Sequence, residues 1–239
     1  MIKAVVIAMM PLAGCSVAVG DGGIKGTGSG NSRSFAVADF TGVELAGSDD
    51  VEIKVGGAFS VRAQGPSAVL DRLKIERDGD TLEIGRKSMT GWHWGDRKGA
   101  TIYVTMPRIA AARIAGSGDL SIDRADGDAF KGDTAGSGGL TIGALNVRSA
   151  TLSIAGSGDI SAKGMATKLD LSIAGSGDID ARSVKATEAR VSIAGSGSVA
   201  ADVTGPAKVS IVGSGDADLG PNATCSTSRI GSGTVRCGK

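Results

Sequence analysis

One octapeptide, Ser-Ile-Ala-Gly-Ser-Gly-Asp-Ile, constrains the fold of this chain more than any other feature. It occupies residues 153–160 and recurs at 172–179, and close variants surround the other copies of Gly-Ser-Gly. The first glycines of the copies are at 116, 136, 156, 175, 195, 213 and 231, so successive copies are 18 to 20 residues apart. Self-similarity at a fixed period of this length is typical of solenoid proteins.

Apolar residues alternate with polar ones on both sides of each Gly-Ser-Gly. Leu152 and Ile154 precede one copy, and Ile160 and Ala162 follow it. A period of two indicates strands with one buried face, and stacked repeats would place isoleucine on isoleucine. Glycines suit the corner between the strands, because a corner needs backbone angles that a Cβ atom forbids. The sequence therefore predicts an all-β fold, a single-stranded parallel β-helix with coils of about 19 residues.

Residues 33–108 alternate like strands but lack the regular repeat. An Ala-Gly-Ser-Asp motif at 46–49 resembles a first, degenerate corner, and an Asp-Gly pair at 78–79 favours a hairpin. Residues 67–72 are expected to form one short helical turn. We therefore expect this part to form the first coils, with a hairpin excursion, before regular coils begin at about residue 113.

Residues 1–14 are typical of a secretory leader. They contain one basic residue, a short apolar run and then small residues, and the segment is too short to span a membrane. The leader ends in Leu-Ala-Gly before Cys15, which resembles the bacterial lipobox, in which the cysteine becomes the lipid anchor. An ordinary leader cleaved after Ala18 is the alternative. By resemblance to lipoproteins of two-membrane bacteria, Ser16 implies sorting to the outer membrane.

Three segments are predicted along the chain. Residues 1–14 form the lipoprotein signal peptide, 15–32 a flexible glycine-rich tether, and 33–239 the β-helical head. A phosphate-binding loop in the tether is disfavoured, since no Gly-Lys-Ser/Thr follows its glycines.

The composition argues against a nucleic-acid partner. Lys and Arg total 26 and Asp and Glu 25, so the formal net charge is only +1 and offers no electrostatic footprint for phosphates. Aromatic residues make up 3% of the chain, too few for base-stacking platforms. We expect the membrane to be a partner through the anchor, and a glycan or an envelope protein to be the ligand.

Both tryptophans, Trp92 and Trp94, flank the single histidine in one loop at 91–96. Flat aromatic faces stack on sugar rings, so these two residues are candidate ligand contacts. The alternative, which we favour, is that they lie on the rod and cover an exposed edge or an end of the core. His93 has no second histidine to complete a metal site or a catalytic pair.

Four aspartates follow Gly-Ser-Gly directly and would stack in one column: Asp119, Asp159, Asp178 and Asp216. Such a column could hold Ca²⁺ or supply an acid–base pair. However, Gly139, Ser198 and Thr234 interrupt it. Turn aspartates that accept hydrogen bonds from backbone amides explain the pattern without a functional site. The sequence therefore predicts no metal ligand, no cofactor and no catalytic residue.

Two cysteines, Cys225 and Cys237, lie in the last repeat. An exported chain reaches an oxidising compartment, and with Cys15 acylated the remaining number of cysteines is even. We expect a disulfide that closes the end of the solenoid. A metal site is the alternative, but companion ligands are missing.

The Gly-Ser-Gly-Asp coils, Phe-Thr-Gly-Val at 40–43, Val-Glu-Ile at 51–53 and Val-Thr-Met-Pro at 104–107 together resemble the bacterial head GIN domain family, described as auto-transporter adhesin heads. The resemblance covers about residues 34–219. It implies a right-handed parallel β-helix and an adhesion role at the cell surface. The family has no agreed catalytic residues, so none is transferred to this chain.

The sequence therefore predicts a non-enzymatic lipoprotein of the outer membrane with an adhesin-like head. A carbohydrate-active β-helix enzyme and an envelope scaffold or binding module are the alternatives. An enzyme needs clustered charged residues on one face, whereas the arginines of the repeats are scattered over different columns.

Overall fold

The computed structural model describes residues 23–87 and 99–238 of the chain. Strands make up 67% and helix 2% of the protein, which confirms the all-β prediction. The strands are β1 Ser32–Phe35, β2 Gly42–Gly47, β3 Asp50–Val55, β4 Ser60–Gln64, β5 Leu73–Asp78, β6 Thr81–Arg86, β7 Thr101–Met106, β8 Ala111–Gly116, β9 Leu120–Ile122, β10 Ala125–Gly136, β11 Leu140–Gly156, β12 Ile160–Gly175, β13 Ile179–Gly195, β14 Ser198–Val203, β15 Pro206–Gly213, β16 Asp216–Asp218, β17 Thr224–Gly231 and β18 Val235–Arg236; the helix α1 is Ser67–Leu70.

The strands form a parallel β-solenoid, as the repeat predicts. From β8 onward each strand pairs in parallel with the strand one coil away, so that equivalent residues of successive repeats are direct partners. Ile154 pairs with Ile173 in this way, and Gly156 with Gly175. The seven Gly-Ser-Gly corners enclose about six turns.

Each coil contributes several inward-facing apolar side chains to the interior of the solenoid. In β12 the inward residues Ile160, Ala162, Leu169 and Ile173 are all 3% exposed or less. The strand bends at Gly164, which has a φ of 131° and lies next to a shift in the register with β11. Burial of one such Ile or Leu side chain contributes about 1.5–3 kcal/mol, and stacking repeats this contribution in every coil.

The order of the first coils along the solenoid differs from their order in the chain. The coil formed by β2 and β3 pairs on one side with β6 and β7 and on the other side with β8 and β9. The chain therefore forms one coil with β2 and β3 and then an end cap with β4 and β5. It returns beside that coil as β6 and β7, and it then crosses to the opposite side of the coil as β8 and β9. The predicted degenerate corner at 46–49 and the hairpin at 78–79 are both present, the latter joining β5 and β6.

Antiparallel strands close the N-terminal end of the solenoid. β5 pairs with β6, β4 pairs with β7, and β1 pairs with β4, all antiparallel. Phe40 lies fully buried beneath this cap, 4.8 Å from the ring centroid of Phe59. The backbone N–H of Ile24 donates to the carbonyl of Ile75 over 2.7 Å. Ile24, which lies in the segment predicted as a tether, therefore contributes a hydrogen bond to the cap.

Polar residues close the C-terminal end. In β17, Thr227 and Arg229 pair with the inward residues Val209 and Ile211 of the preceding coil. The Arg229 guanidinium donates to the carbonyl of Gly233 over 2.6 Å. A disulfide joins Cys225 to Cys237, whose Cα atoms are 6.1 Å apart. Terminal repeats of solenoids typically carry such polar substitutions, because no further coil covers them.

Thr134 interrupts an inward column of apolar side chains and makes a stability prediction possible. Thr134 pairs with Ile114 and Ile154 in the inward column, is 1% exposed, and its hydroxyl has no hydrogen-bond partner among the described residues. We expect Thr134→Val to stabilise the protein by about 1 kcal/mol, because it removes an unsatisfied buried hydroxyl and keeps the shape. In thermal melts the gain corresponds to about 2–4 °C.

The exposed Thr167 provides the control for this experiment. Thr167→Val removes a hydroxyl that water already solvates, so its melting temperature should stay near that of the wild type. A Thr134→Val variant that melts below the wild type would show that the buried hydroxyl is satisfied after all.

Candidate functional site

The column of corners is interrupted in one coil. β6 and β7 pair with β2 and β3, which turn into each other at the 46–49 corner. Between β6 and β7 the chain has instead a longer insertion, residues 87–100, at the same place in the stack. Trp92 and Trp94 belong to this insertion, but they lie outside the described residues.

A buried carboxylate holds both ends of the insertion. Asp49 stands where the other corners have their second glycine, and it is 1% exposed. Its Oδ1 accepts hydrogen bonds from Arg86 Nη2 at 2.6 Å and from the backbone N–H of Ala100 at 2.7 Å, while Oδ2 accepts from Arg86 Nε at 2.8 Å. We call this arrangement the Asp49 clamp.

The Asp49 clamp holds together the two residues that flank the insertion. A buried carboxylate is tolerated only when it is paired and hydrogen-bonded, and here a bidentate arginine and a backbone amide meet that requirement. Because Arg86 precedes the insertion and Ala100 ends it, one side chain fixes both points of departure.

An open groove lies on the sheet face that follows the insertion. It has a volume of about 550 Å³ and is formed by outward residues of β3, β7, β9 and the start of β11. Tyr103 lies in it, paired with Glu52 of β3 on one side and Arg62 of β4 on the other. The Arg62 guanidinium carbon is 5.6 Å from the centre of the tyrosine ring, within the range of a cation–π contact. Tyr103 is only two residues beyond Thr101, where β7 leaves the insertion.

The groove offers the groups that a sugar requires. It combines an aromatic ring, the carboxylate of Glu52, the ammonium of Lys54 and the hydroxyls of Thr105 and Thr141 on one sheet face. Aromatic rings stack against apolar faces of ligands, and the polar groups around them set the orientation. The arrangement is therefore suited to binding.

The remaining carboxylate of the groove is already occupied. Asp123 Oδ1 accepts hydrogen bonds from the backbone N–H of Val55 at 2.8 Å and of Arg124 at 2.7 Å. These bonds anchor the end of β3, so the role of Asp123 is structural.

The aspartates of the column are hydrogen-bonded to backbone amides. Each carboxylate accepts a hydrogen bond from the backbone N–H at the equivalent position of the next coil: Asp119 from Gly139, Asp159 from Asp178, Asp178 from Ser198, and Asp216 from Thr234. These distances are 2.7–3.0 Å. Across residues 23–87 and 99–238, no group of three or more His, Cys, Asp or Glu is placed to hold a metal ion.

Asp216 shows what this bonding does to a carboxyl group. Hydrogen bonds from the hydroxyl and the backbone N–H of Thr234 lower its pKa below the ordinary value for Asp. Because the pKa in the folded state is lower than in the unfolded chain, the contribution to stability is present at neutral pH. It is lost as the pH falls through the folded-state pKa.

The comparison with known proteins shows the family. Residues 39–223 match the family described as "Putative auto-transporter adhesin, head GIN domain". The chain belongs to this family. The match spans the first coil, the insertion and nearly all of the regular turns, so the Asp49 clamp and the groove lie inside the head GIN domain.

Solved structures of other bacterial proteins share the fold. A "putative adhesin" from Bacteroides fragilis has a TM-score of 0.79 at 20% identity, covering 86% of this chain and 95% of its own. A "putative lipid binding protein" from Parabacteroides distasonis has a TM-score of 0.69 at 24% identity, covering 88% and 97%. A "putative adhesin" from Parabacteroides merdae has a TM-score of 0.70 at 20% identity, covering 86% and 94%. No curated protein matches this chain.

These three relatives are named as adhesins or as a lipid-binding protein, and not as enzymes. At such identities the similarity establishes the parallel β-solenoid of the head GIN domain. Among the described residues there is no helix long and apolar enough to cross a membrane.

The sequence analysis did not predict two features of the site, the Asp49 clamp and the groove around Tyr103. The sequence contains an indication of the clamp, since an aspartate replaces the second glycine of the corner motif at 46–49. The indication for Tyr103 is weaker: it is the only tyrosine of the chain and lies in the alternating segment 101–105. The predicted anchor Cys15 lies outside the described residues.

Proposed function

We propose that the protein is a non-enzymatic cell-envelope lipoprotein whose solenoid head binds a surface or envelope ligand, with a glycan fitting the site best. The single observation that carries this proposal is the Asp49 clamp. It ties Arg86 to Ala100, the residues that flank the segment with both tryptophans, and Ala100 is only three residues before Tyr103 of the groove. An aromatic residue and exposed polar groups thus meet at one place on an otherwise repetitive rod.

The names of the structural relatives support a binding role. Two of them are named as adhesins and one as a lipid-binding protein. A stacked β-solenoid is a stiff support, so a ligand that binds in the groove need not order a flexible chain. In this proposal the head acts by holding its ligand at the envelope.

The anchor in this proposal is Cys15. The Leu-Ala-Gly-Cys motif and the apolar leader before it support acylation at this residue. Several acyl chains give a stable attachment, at about 0.8 kcal/mol for each buried CH₂ group. Outer-membrane sorting is part of the same proposal and rests on Ser16.

Replacement of the anchor residue tests the lipoprotein assignment. We expect Cys15→Ser to move the head from the membrane fraction to the soluble fraction, because no acyl chain can then be attached. Ser16→Ala, which keeps the cysteine, is the matched control and should remain in the membrane fraction. Full membrane association of Cys15→Ser would contradict the assignment.

A glycan array with the purified head tests the ligand-binding site. We expect the wild type to retain a defined set of glycans and Tyr103→Ala to bind them about tenfold more weakly, a loss of about 1.4 kcal/mol. Tyr103→Phe keeps the ring and should retain most of the binding. Binding that is unaffected by Tyr103→Ala, or no retained glycan at all, would overturn the groove assignment.

The purified head and the glycans that it retains also distinguish the alternative functions. A carbohydrate-active enzyme would release shortened products from the retained glycans, whereas a binding head leaves them intact. An envelope scaffold would bind no glycan and would instead be cross-linked to a protein in intact cells.

A further inference from the structure

A second cavity lies at the N-terminal end of the solenoid, away from the Tyr103 groove. It has a volume of about 350 Å³. Its floor is apolar and consists of the buried Phe35, Leu70 and Leu73 together with the partly buried Ile24. An apolar floor of this size can accept a short stretch of hydrocarbon chain.

The rim of this cavity is basic. Lys25 and Lys87 are exposed at its edge, and the Arg33 guanidinium donates to Asp71 Oδ1 over 2.8 Å. Lys87 Nζ also donates to the main-chain carbonyl of Asp71, another lining residue, at 3.2 Å. Three cations against one carboxylate leave two positive charges around the apolar floor.

The cavity is formed by residues near the predicted anchor, and this position indicates which surface lies next to it. Residues 23–26 form part of its wall, and Gly23 is the first described residue after the predicted anchor Cys15. Seven residues lie between Cys15 and Gly23, and the eight Cα–Cα steps that join these two residues can span at most about 28 Å. A head anchored at Cys15 therefore keeps this end close to the bilayer surface.

We propose that the cavity formed by Ile24, Phe35, Leu70, Lys25 and Lys87 binds an anionic phospholipid of the membrane that carries the anchor. The two lysines pair with the phosphate group, and the apolar floor receives the adjoining part of an acyl chain. This inference rests on the proposed lipid anchor and adds an orientation to it: the N-terminal cap of the solenoid faces the bilayer, and the long axis points away from it.

Several physical consequences follow from this orientation. Basic residues close to an anionic membrane surface each strengthen attachment about fivefold, and the effect weakens as salt is added. The anchor keeps the cavity near the lipid headgroups, so a modest intrinsic affinity is enough for occupancy. The Tyr103 groove lies on a side face of the same end and stays accessible from the aqueous phase.

Vesicle binding by a chain that starts at Ser16 tests the proposal without the anchor, since this chain keeps all described residues. We expect it to sediment with vesicles of phosphatidylglycerol and phosphatidylcholine, and not with phosphatidylcholine alone. Lys25→Ala/Lys87→Ala should weaken binding roughly thirtyfold, about fivefold for each lysine. Lys163→Ala/Lys208→Ala removes two exposed lysines elsewhere on the solenoid and should leave binding unchanged.

Two further measurements separate a lipid from a free anion. Ile24→Ser, a change at the edge of the floor, should weaken vesicle binding, and 10 mM inorganic phosphate should compete only partly. Equal binding to both vesicle types, an equal loss in the two double-lysine variants, or complete competition by phosphate would each overturn the lipid site. In cells, Cys15→Ser combined with Lys25→Ala/Lys87→Ala should leave the membrane fraction even where Cys15→Ser alone is partly retained, so failure of the lipid site and failure of the anchor are distinguishable.

Discussion

A valine in place of Gly175 is expected to destabilise the solenoid by about 2–6 kcal/mol. Gly175 is the first glycine of a central corner and has a φ of 142°, where an L side chain is strained by about 1–3 kcal/mol. A Cβ atom there would also overlap with the carbonyl oxygen of Gly156 in the preceding coil. Relieving such an overlap inside a packed stack requires a further shift that costs about 1–3 kcal/mol. Urea and thermal denaturation measure the sum.

Asp178→Asn, three residues further along the same corner, is the matched control. The Asp178 carboxylate accepts a hydrogen bond from the backbone N–H of Ser198 at 2.7 Å, and the amide oxygen of asparagine can accept the same bond. This variant should melt close to the wild type, equally in calcium and in chelator. A calcium-dependent melt that Asp178→Asn abolishes would show that the aspartate column binds an ion.

The second large effect is expected for Asp49→Ala. This change removes three hydrogen bonds at once, and two of them come from the Arg86 guanidinium in a largely buried position. Breaking one side of a buried pair costs about 3–5 kcal/mol, and we expect the lower end because the Arg86 side chain keeps 19% exposure. Denaturation in urea should show the loss, and trypsin should cut faster within residues 87–98.

Asp133→Ala serves as the control for the Asp49 clamp. Asp133 also forms ion pairs, with Lys131 at 2.9 Å and with Arg113 at 3.7 Å, but these partners are exposed to solvent. Exposed pairs contribute at most about 1 kcal/mol, so this variant should be only slightly destabilised. If Asp49→Ala were as stable and as resistant to trypsin as Asp133→Ala, the clamp would not hold the insertion.

The regular coils could be predicted from the sequence because the spacing of the repeat and the alternation of apolar residues indicate the same fold. The spacing of Gly-Ser-Gly gives the coil length, and the alternation around Ile154 and Ile160 gives the buried face. The first glycine of each corner needs a positive φ, as expected. The second, such as Gly177, is required for another reason: a Cβ atom there would meet the carbonyl oxygen of Gly158 in the coil before it.

The order of the first coils could not be predicted, for a physical reason. β2 pairs in parallel with both β6 and β8, and no local sequence pattern indicates either pairing. The groove depends on such distant pairings too, since Tyr103 meets Arg62 only through the antiparallel pairing of β7 with β4. The hydrogen bond between Ile24 and Ile75 likewise joins two distant residues, and no periodicity in the sequence indicates it.

The central claim is that ligand recognition is concentrated where the corner column is interrupted. Replacement of residues 88–98 by Gly-Ser-Gly tests it most directly, because the Asp49 clamp already holds the two ends of this segment together. We expect the shortened head to melt within a few degrees of the wild type and to lose the glycans that the wild type retains on the array. A shortened head that keeps full glycan binding would contradict the account and place recognition elsewhere on the solenoid.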